Sequence, residues 1–236
     1  MFHFKQFSIE DIGATMKVGT DAVLLGVLAE PMATPQRILD VGTGCGILSL
    51  MMAQRFPNAI IDALDIDEKT VEVAAENFAN SKWSDRLHAY NSSIQNYTPI
   101  NDEVYDLVIS NPPYFSNSLK NNNARKTLAR HDVRLPIESM LHHALRLMSP
   151  HATISLVMPS IEAEKALNEA AFHGLTCIQR TDICNKPGDQ AKLSIFNLSR
   201  NDARPMPTQT YAMRNSDNSF STWYRDITRD FYLWSK

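Results

Sequence analysis

Between residues 36 and 199 the chain alternates short β-rich runs with segments whose apolar residues recur at helical spacing. That alternation commits it to an α/β domain around a largely parallel sheet, because each buried strand needs a covering crossover before the next parallel one. Strands are expected at 37–41, 60–65, 86–91, 104–110 and 152–158. A helix is expected over 46–56. Another should bury Val71, Ala74, Ala75 and Phe78. A third carries Ile137, Met140, Leu141, Ala144, Leu145 and Met148 on one face, with Pro136 suited to its first turn. A helix over 161–173 should end at Gly174. Two last strands, 175–184 and 192–199, are joined by the short NKPGDQ, which predicts an antiparallel hairpin. The expected fold class is α/β: a seven-stranded, mostly parallel sheet with the last strand antiparallel and helices on both faces.

With 236 residues, 44% of them apolar, the chain can bury one sizeable core. Residues 1–199 read as the domain with an N-terminal cover, and 200–236 as an extension packed on it. Twenty-three basic against 26 acidic residues give a net charge of -3, so any nucleic-acid contact must be local rather than a matter of bulk charge. No uncharged stretch reaches the roughly 18–20 apolar residues of a membrane-spanning helix, and the opening MFHFKQFSIED lacks a secretory apolar core. The expectation is a cytoplasmic protein without a membrane partner. Cys45, Cys177 and Cys184 form no Cys-x-x-Cys pair, which argues against disulfides and structural zinc, and no metal is expected. No dimerisation heptad is visible, so a monomer is expected.

Asp40-Val-Gly42-Thr-Gly44-Cys-Gly46 lies between an expected strand and an expected helix, where glycines let backbone turn sharply and approach a ligand. The spacing is not Gly-x-Gly-x-x-Gly, and no Lys-Ser or Lys-Thr follows, which disfavours a triphosphate site. Asp65, ending the second strand, can accept hydrogen bonds from both hydroxyls of an adenosine ribose. That suits NAD as well as S-adenosylmethionine. Asp40 favours the latter, since a carboxylate beside the turn can face the cationic amino group of a methionyl moiety. It can equally cap the amides of its own turn.

In these motifs the chain resembles the class I S-adenosylmethionine-dependent methyltransferases, which carry D-x-G-x-G-x-G after the first strand and an acidic residue at the end of the second. The resemblance runs over 16–199 and implies a Rossmann-like fold with S-adenosyl-L-methionine as cofactor. It implies contacts from Asp40, Gly42, Gly44, Gly46, Asp65 and the following Ile66. That family usually places an acidic group after the third strand. Here the stretch is Asn91-Ser92-Ser93-Ile94, so Ser93 or backbone takes that place beside the adenine.

Ser110-Asn111-Pro112-Pro113-Tyr114 follows the fourth strand, at the carboxyl edge where open α/β sheets bind ligands. An amino group conjugated to a ring or carbonyl is a poor nucleophile because its lone pair is delocalised. The Asn111 side-chain oxygen and the Pro112 carbonyl can accept its two hydrogens and draw the nitrogen toward pyramidal geometry. Two prolines stiffen the backbone, and Tyr114 offers a flat face for stacking. A plain proline turn is the alternative, and the glycine motif upstream weighs against it.

The tetrapeptide is similar to that of three classes: adenine-N6 methyltransferases, guanine-N2 methyltransferases of ribosomal RNA, and glutamine N5-methyltransferases acting on release factors. Only 36 residues precede the first strand, which leaves no room for the helical domain of the release-factor enzymes. The second domain of the guanine enzymes and the large insert of the DNA enzymes find no room either. The remaining resemblance is to the small bacterial enzymes that methylate adenine N6 in the anticodon loop of valine tRNA. It rests on FKQF, Met16–Ala22, NPPYF, Ala129-Arg130-His131 and Arg229–Leu233. It implies that Lys17, Thr20 and Asp21 lie against the methionine end of the cofactor, although an N-terminal helix covering the sheet fits that stretch as well. It also implies the anticodon stem-loop of valine tRNA as partner. A non-enzymatic cofactor-binding RNA module is disfavoured by the intact Asn111–Tyr114 set.

Between Phe115 and Leu135 stand Lys120, Arg125, Lys126, Arg130 and Arg134 against Asp132 alone, five less one, or +4. With His131, which can meet a phosphate or cap the next helix, they form the expected RNA contact, on a polar loop over the active site. A merely solvated charged loop is the plain alternative. In the extension, Trp223, Ile227, Phe231 and Trp234 would share a helix face, a stripe more typical of packing than of base stacking. The segment 201–219 reads as an irregular excursion.

Overall fold

A computed structural model describes residues 1–15, 17–112, 135–200 and 207–234. The chain opens with a small antiparallel pair, β1 (Phe2–His3) and β2 (Ser8–Ile9), followed by helix α1 (Thr20–Leu28). Then come β3 (Arg37–Val41), α2 (Ile47–Arg55), β4 (Ile60–Asp65), α3 (Glu68–Ala79), β5 (Leu87–Asn91) and β6 (Tyr105–Ser110). After the undescribed segment follow α4 (Ile137–Leu147), β7 (Met148–Pro159), α5 (Ala163–Phe172), β8 (Leu175–Cys184) and β9 (Leu193–Arg200). The chain ends with β10 (Gln209–Ala212) and α6 (Thr222–Thr228).

The main sheet has the order β10-β8-β9-β7-β6-β3-β4-β5, with β9 antiparallel to both neighbours and every other pairing parallel. This is the expected Rossmann-like sheet, with its seventh strand reversed by the NKPGDQ hairpin. Helices cover both faces. On one, Leu24, Leu25, Met51, Met52 and Phe78 of α1, α2 and α3 join Ile9, Tyr224 and Phe231 in one core. On the other, Met140, Leu141 and Ala144 of α4 pack with Ala166 and Ala170 of α5 and with Phe196. At the strand ends opposite the glycine turn, the buried Tyr105 hydroxyl donates to Asp62 at 2.6 Å, and Arg37 pairs with the same carboxylate at 2.9 Å. Among the described residues no helix is long and apolar enough to cross a membrane.

Three local expectations are corrected. The segment 201–219 contains a strand: β10 lies on the edge of the sheet, parallel to β8, with Gln209 opposite Thr181. Four residues flanked by turn formers carry no periodicity of their own, and the pairing partner comes from β8. Helix α3 buries Thr70, Ala74, Asn77 and Phe78 while Ala75 is exposed. Its start explains the rotation: Asp67 caps the helix by accepting from Thr70 N at 2.9 Å and Thr70 Oγ1 at 2.7 Å, which holds Thr70 inward. The C-terminal aromatics do pack, but not as one helix. Helix α6 stops at Thr228, whose hydroxyl donates to the Tyr224 carbonyl at 2.6 Å and accepts from the Trp234 indole at 3.1 Å. The tail therefore folds back, and Phe231 and Trp234 reach the core from a turn.

The bend from β3 into α2 depends on Gly46, at φ 85°. A Cβ there would lie 2.5 Å from the Phe78 ring of α3, so neither the backbone angle nor the space admits a side chain. Gly46→Ala should cost about 2–4 kcal/mol, combining left-handed strain with overpacking. Urea denaturation checks this, and a midpoint equal to that of the parent chain would contradict it.

Candidate active site

The glycine turn is held from below by Asp40, which is fully buried. Its Oδ2 accepts from Thr43 Oγ1 at 2.7 Å, Ser49 Oγ at 2.7 Å and Ser49 N at 3.2 Å, tying the end of β3 to the first turn of α2. Its Oδ1 is buried with no partner among the described residues. Burial pushes the carboxyl up to about 6, outweighing those three hydrogen bonds, and the charge of Asp65 adds to the rise. Asp40 thus braces its turn through two hydroxyls and an amide of α2, not through the amides of the turn itself, and among the described residues its Oδ1 remains a free acceptor.

Asp65 closes the turn from the β4 side. Its Oδ2 accepts from Gly44 N at 3.0 Å and its Oδ1 from Asp67 N at 3.1 Å, and burial raises its pKa. Its carbonyl accepts from Asn91 Nδ2 at 3.2 Å and Ser92 N at 3.0 Å, so the ends of β4 and β5 are joined. Gly42, at φ 72°, is exposed, and a Cβ there would meet nothing within 4 Å, so the backbone faces open space. Ile66, which follows Asp65, is exposed. Ser93 is half-buried, and its carbonyl accepts from Asn96 N and Tyr97 N in the turn that follows β5.

The second part of the site is the end of β6. Ser110 Oγ donates to the Val41 carbonyl at 2.7 Å, locking β6 to β3. The last pair of that register is Asp40 with Ile109, so Gly42 and Asn111 are the residues that leave the carboxyl ends of these two adjacent strands. The Asn111 Oδ1 atom is buried and has no partner among the described residues. Pro112 is half-buried. Tyr114 and the cations Lys120, Arg125, Lys126, Arg130, His131 and Arg134 lie outside the described residues.

Thr20 is the first residue of α1 and is exposed, Lys17 is exposed just before it, and Asp21 is half-buried with its carboxyl raised by burial. The helix-cover reading of this stretch therefore holds from Thr20 onward. Ahead of it, Glu10, Gly13 and Thr15 lie along α3, against Asn77, Val73 and Thr70. Asn77, which sequence reading overlooked, joins them to the turn. Its Nδ2 donates to the Glu10 and Cys45 carbonyls at 2.8 Å each, and its Oδ1 accepts from Glu10 N at 2.9 Å. Thr70 Oγ1 likewise accepts from Thr15 N at 3.1 Å. The signal available in the sequence was a lone amide beside Phe78 on an apolar helix face. Ser49, a hydroxyl inside ILSLMM, was overlooked in the same way.

Two buried acceptors without partners among the described residues, an open glycine and a carboxylate held by backbone amides thus stand at the carboxyl ends of β3, β4 and β6. Comparison with known proteins agrees with that geometry. Residues 14–182 match the family model described as methyltransferase small domain. A tRNA1(Val) (adenine(37)-N6)-methyltransferase of Flavobacterium johnsoniae is 36% identical over 233 residues, covering 99% of each chain. One of Phocaeicola vulgatus is 38% identical over 234 residues, covering 98% of this chain and 97% of that one. Among solved structures, a predicted O-methyltransferase from Agrobacterium tumefaciens superposes with a TM-score of 0.71 at 17% identity, covering 89% of this chain and 96% of that one. A ribosomal protein L11 methylase from Lactobacillus delbrueckii gives 0.56 at 14% identity, covering 82% and 84%. At those identities the structures speak for the fold alone. With a family model over most of its length and full-length relatives above 30% identity, the chain belongs to the methyltransferase small-domain family and, within it, to the tRNA1(Val) (adenine(37)-N6)-methyltransferases.

Proposed function

We propose that the chain transfers a methyl group from S-adenosylmethionine to the exocyclic N6 of an adenine in tRNA, nucleotide 37 in the anticodon loop of valine tRNA. The observation that carries this reading is the Asn111 Oδ1 atom, buried without a partner among the described residues at the end of β6, next to the strand that leads into the glycine turn. A buried acceptor left unpaired is costly, and it is accounted for if a donor arrives with the substrate. The names of the aligned relatives favour adenine N6 over a protein glutamine or guanine N2.

The residues present fit S-adenosylmethionine. The orphan Asp40 Oδ1 suits an ammonium, Asp65 retains acceptor capacity for ribose hydroxyls, and Gly42 leaves the backbone open to close approach. Gly44 and Gly46 shape the same turn, Ile66 and Ser93 flank the place for the adenine, and Lys17, Thr20 and Asp21 that for the methionine end. When bound, the cofactor supplies a methyl carbon made electrophilic by positive sulfur. Asn111 Oδ1 and the Pro112 carbonyl accept the two N6 hydrogens, which localises the nitrogen lone pair, and Tyr114 stacks on the base. These hydrogen bonds strengthen as the nitrogen gains positive charge, so they favour the transition state over the ground state. A target in an anticodon loop is already partly unstacked, which lowers the cost of turning it into the pocket. On their charge alone, Lys120, Arg125, Lys126, Arg130, His131 and Arg134 are assigned to tRNA phosphates.

Asn111→Ala should lower turnover on the order of 10²–10³-fold, the scale of losing one positioned polar group, with S-adenosylmethionine affinity by calorimetry little changed. The assay uses methyl-labelled cofactor, tRNA from a strain lacking the gene, and mass spectrometry of nucleosides. Label in N6-methyladenosine is the expected product; label in ribosomal RNA, DNA or a protein glutamine instead would overturn the substrate assignment. A second expectation concerns pH. Because the buried Asp40 carboxyl titrates near 6, the ligand-free fold holds that proton more tightly than the unfolded chain, and loses this stabilisation as pH rises from about 4 through 6. An ammonium at Oδ1 favours the carboxylate, so cofactor affinity should rise with pH through about 6 and then level. Asp40→Asn should flatten that profile, and an unchanged profile in the variant would remove Asp40 from the role.

A further inference from the structure

At the end of α2 away from the glycine turn, a cleft of about 670 Å³ opens between the N-terminal hairpin, α1, α2 and the C-terminal segment. Its walls include Lys5, Gln54, Arg55, Phe56 and Asp230. Two cations face it, and among the described residues neither has a carboxylate within 4.0 Å. Lys5 donates to the Arg229 carbonyl. Arg55 donates from Nη1 to the Gly26 carbonyl at 2.8 Å and lies 5.1 Å from the centre of the Phe56 ring. Burial pushes the Arg55 pKa down, and Glu30, beyond ion-pair distance, pulls it back only in part. The Asp230 carboxylate stands 3.9 Å from Arg229 Nε, and the Asp230 carbonyl accepts from Gln54 Nε2 at 2.9 Å. Gln54 Oε1 is buried and has no partner among the described residues.

A largely enclosed guanidinium without a counter-charge is costly, and a fork of N–H groups is well matched to phosphate oxygens. The orphan Gln54 acceptor beside it asks for a donor on the same ligand. An anion and a hydroxyl donor side by side describe the sugar–phosphate backbone of RNA, whose 2′-hydroxyl supplies the donor. We propose that this cleft binds one backbone phosphate of the RNA substrate with Lys5 and Arg55, while Gln54 accepts from a neighbouring 2′-hydroxyl. This rests on tRNA being the substrate. Nine residues of α2 set the cleft about 14 Å from the glycine turn, well within the span of a stem that carries one phosphate per ~1.7 Å of axis. A chain of net charge -3 has to hold such a ligand through local cations.

The test compares tRNA binding by the full chain with that of Lys5→Gln and Arg55→Gln over a salt series, together with methyl transfer at saturating tRNA. Each variant should bind several-fold more weakly, with a salt slope lower by about one, and with unchanged kcat. Should Arg55→Gln unfold for want of the Gly26 hydrogen bond, the exposed Lys5→Gln carries the test alone. Parent-like affinity and slope in the folded variants would overturn the proposal. Calorimetry with inorganic phosphate separates the sources: phosphate binding abolished in Arg55→Gln while tRNA affinity stays unchanged would overturn RNA as occupant in favour of a small phosphate compound. A parent chain that methylates no tRNA marks a failure of the substrate reading instead, which removes RNA as the occupant while the phosphate titration still reports on the cleft.

Discussion

Asp40 joins the three things the site needs: the end of the first core strand, the glycine turn and the start of the helix that follows. Three donors converge on one of its oxygens, and among the described residues the other has no hydrogen-bond partner. Burying a carboxylate is costly, and here the hydrogen bonds do not fully offset that cost, since the carboxyl titrates near 6. The turn is therefore rigid before any ligand arrives, while its electrostatics remain incomplete. Such an arrangement favours a cation at Oδ1 without a rearrangement of backbone.

The rigidity extends outward through neighbours of the turn. Asp65 holds Gly44 and Asp67 by their amides, and Ser110 ties β6 to β3 by a hydroxyl on the Val41 carbonyl. Asn77 bonds the turn to the N-terminal segment, and Phe78, one residue on, fills the space Gly46 leaves. The two chain ends then share one core: Ile9 from the first hairpin lies in the same apolar cluster as Tyr224 and Phe231 from the tail. The C-terminal segment is part of the face that supports α1 and α2, and the cleft beside Arg55 exists because that tail closes over the end of α2.

Much of this is legible in the sequence. Parallel strands are buried on both faces, so they appear as short apolar runs, and β3, β4 and β8 coincide with the expected ranges. The glycine spacing and Asp65 marked the turn, and Asn111 was marked by its place after the fourth strand. What escaped had no local signature. Strand β10 is made by its neighbour β8, the rotation of α3 by the cap at Asp67, and the end of α6 by hydrogen bonds at Thr228. Asn77 and Ser49 are single polar residues on apolar helices, and only their partners show that they bind a turn and a carboxylate.

The sequence by itself determined the class of fold, the order of its elements and the residue types brought to the strand ends, because periodicity, turn chemistry and strand-end position are local properties. Among the described residues, tertiary structure alone decided which acceptors are left without donors, which carboxyl is pushed up to about 6, and where two cations line a cleft with no carboxylate within 4.0 Å of either. Those outcomes depend on burial and on partners distant in sequence: Gly26 against Arg55, Glu10 against Asn77, Val41 against Ser110. Desolvation and pairing are properties of an assembled interior, and no window of sequence contains them.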